Sequence, residues 1–198
     1  MAEKRKYEMK ARAQHVAETR RRIVEATVAL HREVGPRETT IAEIARRAGV
    51  ERLTVYKHFP DDRSLFEACQ GHWLTRLPPP DFGRHAGIAD PDQRTSAVLR
   101  DLYRWYREAA PMLRHSLRDA AALPALAETL QASRAMLEQT VELLLRGRGL
   151  RGKASIRAAA ALGVSLQFST WESLTAAGLG DDEAAEVATA MARAGGSS

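Results

Sequence analysis

Apolar side chains recur every three or four residues through most of this chain of 198 residues, and no stretch alternates with the period of two expected of a strand. This pattern predicts an all-α protein. Prolines and glycines divide the pattern, because proline interrupts helical hydrogen bonding and glycine favours helix ends. The predicted helices cover residues 18–34, 41–48, 51–58, 60–77, 90–110, a short segment from 111, then 124–146, 153–177 and a last helix from 181. Residues 78–90 are rich in proline, glycine and polar side chains, which predicts a loop.

Residues 39–59 have the pattern of two short helices joined by a tight turn. Thr40 and Glu43 have the spacing of a capping box, in which the hydroxyl accepts the N–H of Glu43 and the carboxylate accepts the N–H of Thr40. Gly49 follows the first helix, where glycine permits the positive φ of a sharp turn. The side chains predicted to form a small core behind the second helix are Ala45, Val50, Val55 and Phe59.

The second helix of this pair keeps an outward face without a carboxylate. It carries cations, a hydroxyl, a phenol and an apolar tip, contributed by Arg52, Leu53, Thr54, Tyr56, Lys57 and His58. Such a set suits the edges of bases and the phosphates around a DNA major groove. The alternative is an ordinary helical hairpin whose charged face is only solvated.

These residues resemble the amino-terminal helix-turn-helix domain of the TetR family of bacterial transcriptional regulators. The resemblance covers residues 19–73 and rests on a T-x-x-x-I-A-x-x-A-G-V run from Thr40 and a T-V-Y-K-H-F run from Thr54. It implies a three-helix DNA-binding domain over residues 18–60 and a helical ligand-binding and dimerisation domain over residues 61–198. It also implies that Thr40 touches a phosphate and that residues 52–58 meet bases and backbone.

One position departs from the family pattern. Many members have a phosphate-binding lysine two residues after the proline that precedes the fourth helix, whereas this chain has Asp62 there. Arg63 is the candidate to replace that contact. Otherwise the contact is absent.

Charge supports an anionic partner for the amino-terminal part of the chain. The net charge is +5, and residues 1–75 hold 15 Lys and Arg against 11 Asp and Glu, compared with 15 against 14 in the remainder. Residues 1–17 contain a basic, weakly periodic stretch that predicts a flexible arm. Two interpretations stay open for this arm: contact with phosphates or an adjacent minor groove, and a solvated tail.

The helices that follow predict a sensor region. Aromatic and polar side chains concentrated there form a candidate pocket for a moderately hydrophobic small molecule. The candidate ligand-binding residues are Trp105, Tyr106, Met112, His115, Gln167, Phe168 and Trp171. The alternative is that these residues are simply core.

The last two predicted helices favour a homodimer. Residues 153–177 are apolar or small nearly all round, so that helix needs cover on both sides, and the final helix is rich in alanine. These helices resemble the family's four-helix dimer interface. The alternative is a monomer in which the two helices bury each other.

Other chemistry is weakly supported by the sequence. The pair His115 and Asp119 gives two ligands at most, so we expect no metal, no cofactor and no enzyme. Cys69 is expected to be a buried apolar residue. With no run of 18 apolar residues and no signal peptide, the chain is expected to be cytoplasmic without membrane contact. Three functions stay open: a ligand-responsive repressor, a constitutive or architectural DNA-binding protein, and a helical enzyme.

Overall fold

A computed structural model describes residues 2–196, and within that range the chain is helical without strands, as predicted. The α-helices in order are α1 Ala2–Glu33, α2 Ile41–Ala48, α3 Arg52–His58, α4 Asp62–Arg76, α5 Pro91–Asp119, α6 Pro124–Thr129, α7 Gln131–Leu145, α8 Gly152–Ser165, α9 Phe168–Ala176 and α10 Asp181–Gly196. A short 3₁₀ helix, Phe82–His85, lies within the segment predicted as a loop.

The chain forms two compact units. The amino-terminal unit contains residues 2–78 and 114–129, and the carboxy-terminal unit contains residues 79–113 and 130–196. This division differs from the domain boundary predicted after residue 60, because α4 packs on α1 and α6 within the amino-terminal unit. Helix α5 supplies residues to both units.

The amino-terminal unit has a core built by α1 to α4. α1 packs against α2 and α4, and α2 packs against α3. The buried side chains of this core include Ile23, Leu30, Ile44, Val55, Phe59 and Leu65. Cys69 is also buried, and this burial raises the pKa of its thiol to about 12, so the thiol is an apolar packing group as predicted.

Helix α1 begins at Ala2, so the prediction that it starts at residue 18 is wrong. Residues 5–18 are helical although every side chain in that stretch is exposed. The stretch contains Ala, Arg, Lys, Glu, Met and Gln and has no glycine or proline, so helix propensity continues the helix where the buried stripe is absent. The predicted arm is therefore an extension of α1.

Helix α5 continues through Pro111, where the sequence predicted a break. Proline removes one helical hydrogen bond and crowds the preceding turn. Here Pro111 lies on the exposed side, while Ala109, Ala110, Met112 and Leu113 beside it are buried. Packing of the neighbouring residues therefore maintains the helix across the proline.

The helix predicted over residues 124–146 is divided into α6 and α7. Near the division, the hydroxyl of Thr129 donates to the carbonyl of Leu126 at 2.7 Å, and the Gln70 amide donates to the carbonyl of Thr129 at 2.9 Å. Thr129 ends the amino-terminal unit and Leu130 begins the second segment of the carboxy-terminal unit. The break thus coincides with the passage of the chain from one unit to the other.

The helix predicted over residues 153–177 is likewise two helices, α8 and α9. The Tyr103 hydroxyl donates to the carbonyl of Ser165 at 2.8 Å, and the Tyr106 hydroxyl donates to the carbonyl of Leu166 at 2.7 Å. These two carbonyls lie at the break, where tyrosines from α5 satisfy them. Long-range hydrogen bonds of this kind carry no local sequence signal.

Helices α8 and α10 pack closely in the carboxy-terminal unit. Small side chains permit this approach: a Cβ added at Gly195 would come within 2.5 Å of the Ala161 Cβ. The buried side of the pair includes Ala158, Leu162, Ala184, Ala185 and Ala188. The same two helices also carry large exposed apolar residues, namely Ile156, Val164, Val187 and Met191.

Across residues 2–196, no helix combines the length and apolar character needed to cross a bilayer. In the same range, no group of three or more His, Cys, Asp or Glu side chains is arranged to hold a metal ion.

Candidate DNA-binding surface

Thr40 fixes the start of α2. Its hydroxyl accepts the backbone N–H of Glu43 at 3.2 Å, which is the first half of the predicted capping box. The second half is not formed, because the Glu43 carboxylate instead accepts the Arg46 guanidinium at 2.9 Å. Thr40 itself is exposed, so its hydroxyl and backbone N–H stand at the surface beside the helix start.

Gly49 turns the chain from α2 towards α3. Its φ of 66° and ψ of 42° lie in the left-handed region that glycine enters without a steric penalty. The Gly49 N–H donates to the carbonyls of Ala45 and Arg46, and the Val50 N–H donates to Ala45 at 3.0 Å. These bonds satisfy the end of α2 and set the direction of α3.

Helix α3 is anchored from behind by Val55 and Phe59, which are 0% and 2% exposed. The Arg20 guanidinium of α1 lies over the Phe59 ring, 4.5 Å from its centroid. The contact places the positive charge of Arg20 beside the carboxyl-terminal end of α3. The inward residues predicted for this helix are confirmed.

The opposite side of α3 faces away from this core. Leu53 and Tyr56 are 61% and 53% exposed, unusual values for large apolar and aromatic side chains. Arg52 and Lys57 are exposed, whereas Thr54 and His58 are half-buried. Desolvation, with a further effect of Arg20, lowers the pKa of His58, so near neutral pH it presents an uncharged ring.

Arg63 is occupied by intramolecular ion pairs. Its Nε lies 2.9 Å from Glu67 and its Nη1 lies 3.1 Å from Glu128. A DNA phosphate would have to compete with both carboxylates for this guanidinium. The geometry therefore favours Thr40 over Arg63 as a residue that contacts the DNA phosphate backbone.

Asp119 secures the loop that leads into α2, a role that sequence patterns did not reveal. Its carboxylate is buried and accepts the backbone N–H of Arg37 at 3.1 Å and the Arg118 Nε at 2.7 Å. The Arg118 hydrogen bond is the largest of the effects that hold the pKa of this carboxyl below its usual range. The pair of His115 and Asp119 was visible in the sequence, but the loop it meets lies far away along the chain.

Gly35 lies directly against this carboxylate. It has a φ of 97°, and a Cβ at this position would lie 2.6 Å from the Arg118 Nη2 and 2.8 Å from the Asp119 Oδ2. Only glycine fits such an approach without displacing the pair. The end of α5 thus holds the connection between α1 and α2.

The candidate ligand-binding residues are partly brought together. Tyr106, Phe168 and Trp171 are buried and in mutual contact, with the Tyr106 and Phe168 ring centroids 5.3 Å apart and those of Phe168 and Trp171 also 5.3 Å apart. Trp105 lies 5.7 Å from Tyr106, and Met112 is buried in the same unit. These contacts form a packed aromatic cluster.

The two predicted polar anchors, Gln167 and His115, belong to different units. Gln167 is exposed at the start of α9, and His115 belongs to the amino-terminal unit near Gly35. Within the carboxy-terminal unit, the Trp171 Nε1 donates to the carboxylate of Asp181 at 2.9 Å. The assignment of Gln167 and His115 as polar anchors of a ligand site stays a prediction.

The residues of this surface lie in a part of the chain that resembles known proteins. Residues 23–69, which contain α2 and α3, match the family model described as bacterial regulatory proteins of the tetR family. Over these residues the chain is similar to regulators of the TetR family. The match begins within α1 and ends within α4, so it covers the helix-turn-helix and the helices that support it.

Curated relatives are similar to this chain over a short stretch of its length. The HTH-type transcriptional regulator BetI of Serratia proteamaculans is 40% identical over 58 residues, which is 29% of each chain. An uncharacterised HTH-type transcriptional regulator of Mycobacterium tuberculosis is 49% identical over 49 residues, covering 25% of this chain and 26% of the relative. The alignments thus span less than a third of the relatives' own length.

Solved structures extend the likeness of fold to most of the chain. A TetR-family regulator from Mesorhizobium loti covers 91% of this chain and 96% of its own, with a TM-score of 0.63 and 23% identity. A regulator from Saccharomonospora viridis, crystallised with choline, covers 89% and 96% with a TM-score of 0.57 and 18% identity. The TetR fold, with an amino-terminal helix-turn-helix and a helical carboxy-terminal region, is thereby established.

Proposed function

We propose that this protein is a transcriptional regulator that binds a specific DNA sequence through the outward face of α3. The observation that carries the proposal is the exposure of Leu53 and Tyr56 between the cations Arg52 and Lys57, on a helix anchored by Val55. Apolar and aromatic tips can contact thymine methyl groups, while cations and hydroxyls meet guanine edges or phosphates. Thr54 and His58 complete the base-reading set, and Thr40 and Arg63 are candidate phosphate contacts.

The proposed active form is a homodimer. Ile156 and Val164 of α8 and Val187 and Met191 of α10 are between 39% and 70% exposed, a set of large apolar side chains that a second copy can cover. Two subunits related by a two-fold axis would present two α3 faces to successive major grooves of a near-palindromic site, roughly 34 to 36 Å apart or a multiple of it. Dimerisation also doubles the number of base contacts.

Release by a small, moderately hydrophobic ligand is the proposed mode of regulation. The aromatic cluster around Tyr106 and Trp171 supplies rings that such a ligand would contact. Helix α5 continues from that unit to Asp119, whose carboxylate accepts the N–H of Arg37 in the loop before α2. A change in α5 would thus reach the entry to α2. A coupling of about 1 to 3 kcal/mol lowers DNA affinity about 5- to 150-fold, enough to derepress a gene.

The alternative is a constitutive DNA-binding or architectural protein. Tyr106, Phe168 and Trp171 are each no more than 6% exposed and pack on one another, which is what a core without a ligand requires. Addition of candidate effectors to the protein–DNA complex separates the two functions. Choline, found with one solved relative of the fold, and a set of uncharged aromatic compounds are the first probes, and dissociation by any of them supports the ligand-responsive form.

The direct test of DNA binding is selection from a random duplex pool with the purified full chain at two salt concentrations. A regulator is expected to recover a near-palindrome at both, with weaker binding at the higher salt. Binding without any sequence preference would favour the architectural alternative. Absence of binding at both salt concentrations would contradict the proposal.

A further inference from the structure

The first turns of α1 lie outside the proposed DNA-binding face of α3, yet they form a regular helical surface. Residues 5–18 are helical and every side chain among them is exposed, whereas Thr19, which follows them, is buried. An isolated helix of this length is marginal in water even with favourable residues. A helical extension that contacts no core is therefore expected to gain stability from a partner.

The charges of this extension lie predominantly on one side. With about 3.6 residues per turn, its four cations share half of the helix circumference with Arg20, whereas Glu8 and Glu18 lie outside that half. We call this side the cationic face; it consists of Arg5, Lys6, Lys10, Arg12 and Arg20. Glu18 is further neutralised by Arg21, whose Nε lies 3.0 Å from it.

Arg20 shows where the cationic face lies relative to α3. Its guanidinium contacts Phe59, the residue that follows α3, at 4.5 Å from the ring centroid. The cationic face is therefore on the side of α1 that meets the end of α3. Between Arg5 and Arg20 the helix rises about 22 Å, since each residue adds about 1.5 Å.

We propose that the cationic face of α1 binds the DNA phosphate backbone that flanks each α3 contact. The proposal rests on the proposed function, because α3 must first hold a duplex beside Phe59. Charge complementarity selects the occupant: four cations against one carboxylate in residues 5–17 suit a polyanion with a phosphate about every 3.4 Å along each strand. A length of about 22 Å corresponds to about six base pairs of additional contact for each subunit.

The test compares Lys6→Ala/Lys10→Ala with the parent protein on two duplexes, the selected sequence and a scrambled one of the same length and composition. Alanine preserves the helix, which circular dichroism checks. Loss of two phosphate contacts from each subunit should lower the slope of log affinity against log salt by about 3 to 4 for a dimer. Affinity near 0.15 M salt should fall at least about tenfold on both duplexes, since phosphates are common to both.

The matched control is Arg134→Ala/Arg151→Ala, which removes two exposed cations from the carboxy-terminal unit and should leave the salt slope unchanged. Hydroxyl-radical footprinting supplies an independent readout, in which removal of residues 2–14 should shorten protection by up to about six base pairs in each half-site. An unchanged slope and footprint, with sequence-specific binding retained, would overturn this proposal but not the proposed DNA binding by α3. Failure of the parent protein to bind either duplex would overturn both. A change of oligomeric state at unchanged slope would assign the extension to a protein contact instead.

Discussion

The buried carboxylate of Asp119 accepts the backbone N–H of Arg37 at 3.1 Å, which joins the end of α5 to the loop before the helix-turn-helix. Because 82 residues separate the two groups in sequence, this bond restrains the fold and not merely a local turn. The loop ends at Thr40, where α2 begins. The position of α2 therefore depends on a residue in the last turn of α5.

Replacement of Asp119 tests the importance of this bond. Asp119→Asn keeps the shape of the side chain but removes the charge that attracts Arg118, and one of its polar positions becomes a donor. We expect the free energy of unfolding to fall by about 1.5 to 3 kcal/mol, measured by urea titration. The control is Asp182→Asn, which removes an exposed ion pair with Arg104 and should cost less than about 1 kcal/mol. Equal effects of the two changes would contradict a special role for Asp119.

Gly35 and Gly178 separate backbone strain from steric crowding. Their φ values are 97° and 96°, but an added Cβ meets nothing within 4 Å at Gly178, whereas at Gly35 it meets Arg118 and Asp119. Gly178→Ala is expected to cost about 1 to 2 kcal/mol from the left-handed backbone. Gly35→Ala is expected to cost at least about 1 to 3 kcal/mol more because the buried pair must move. Calorimetric or urea unfolding measures both, and similar costs would contradict the close packing described for Gly35.

His31 should make the protein sensitive to acid. Burial lowers the pKa of His31 to about 4, an effect that the nearby Asp119 charge only partly opposes. The unfolded imidazole has a pKa near 6.5, so the unfolded state binds more protons between about pH 6.5 and 4. The stability from this group is therefore present above that window and is lost as the pH falls through it, by up to about 3 kcal/mol.

The measurement is urea unfolding of the parent protein and of His31→Leu across that pH window. The variant should show a weaker decrease in stability with acid, because only the parent must expel a proton from His31 to fold. His15→Leu is the control, since His15 lies exposed in the extension of α1. Parallel pH profiles for the parent and His31→Leu would show that His31 is not the buried neutral group inferred from the structure.

Two exposed apolar positions test the proposed dimer. Ile156→Lys/Met191→Lys places charges among the exposed apolar residues of α8 and α10 and should weaken dimerisation at least about tenfold, because unpaired charges would be buried. The control Val34→Lys/Leu117→Lys changes residues of the amino-terminal unit with 43% and 45% exposure and should leave the oligomer intact. Sedimentation velocity over a concentration series measures the result. A dimer unaffected by the first pair would place its interface elsewhere.

The helix-turn-helix was predictable because its signals are local. Thr40 caps α2, Gly49 ends it in the left-handed conformation, and Val55 and Phe59 face inward, all as their spacing indicated. The outward set of α3 follows from those assignments by elimination. Each of these features depends on residues within one or two helical turns.

The errors arise where contacts over long sequence distances decide the structure. The Tyr106 hydroxyl donates to the carbonyl of Leu166, at the break between α8 and α9. The apolar pattern of the sequence predicted a single helix across this break. Pro111 is retained within α5 because its neighbours are buried, which no local rule reveals. The hydrogen bond between Asp119 and Arg37 also depends on tertiary packing. Contacts between residues so far apart in sequence become visible only in the three-dimensional structure.

The most direct test of sequence recognition by α3 is a binding titration of Tyr56→Ala/Lys57→Ala on the selected duplex and on its scrambled counterpart. Both residues are exposed, so the variant should keep the parent unfolding temperature. Loss of a base contact worth about 1 to 3 kcal/mol should reduce the ratio of the two affinities about 5- to 150-fold, whereas Arg134→Ala should preserve it. An unchanged ratio in the double variant would contradict the claim that α3 reads the DNA sequence.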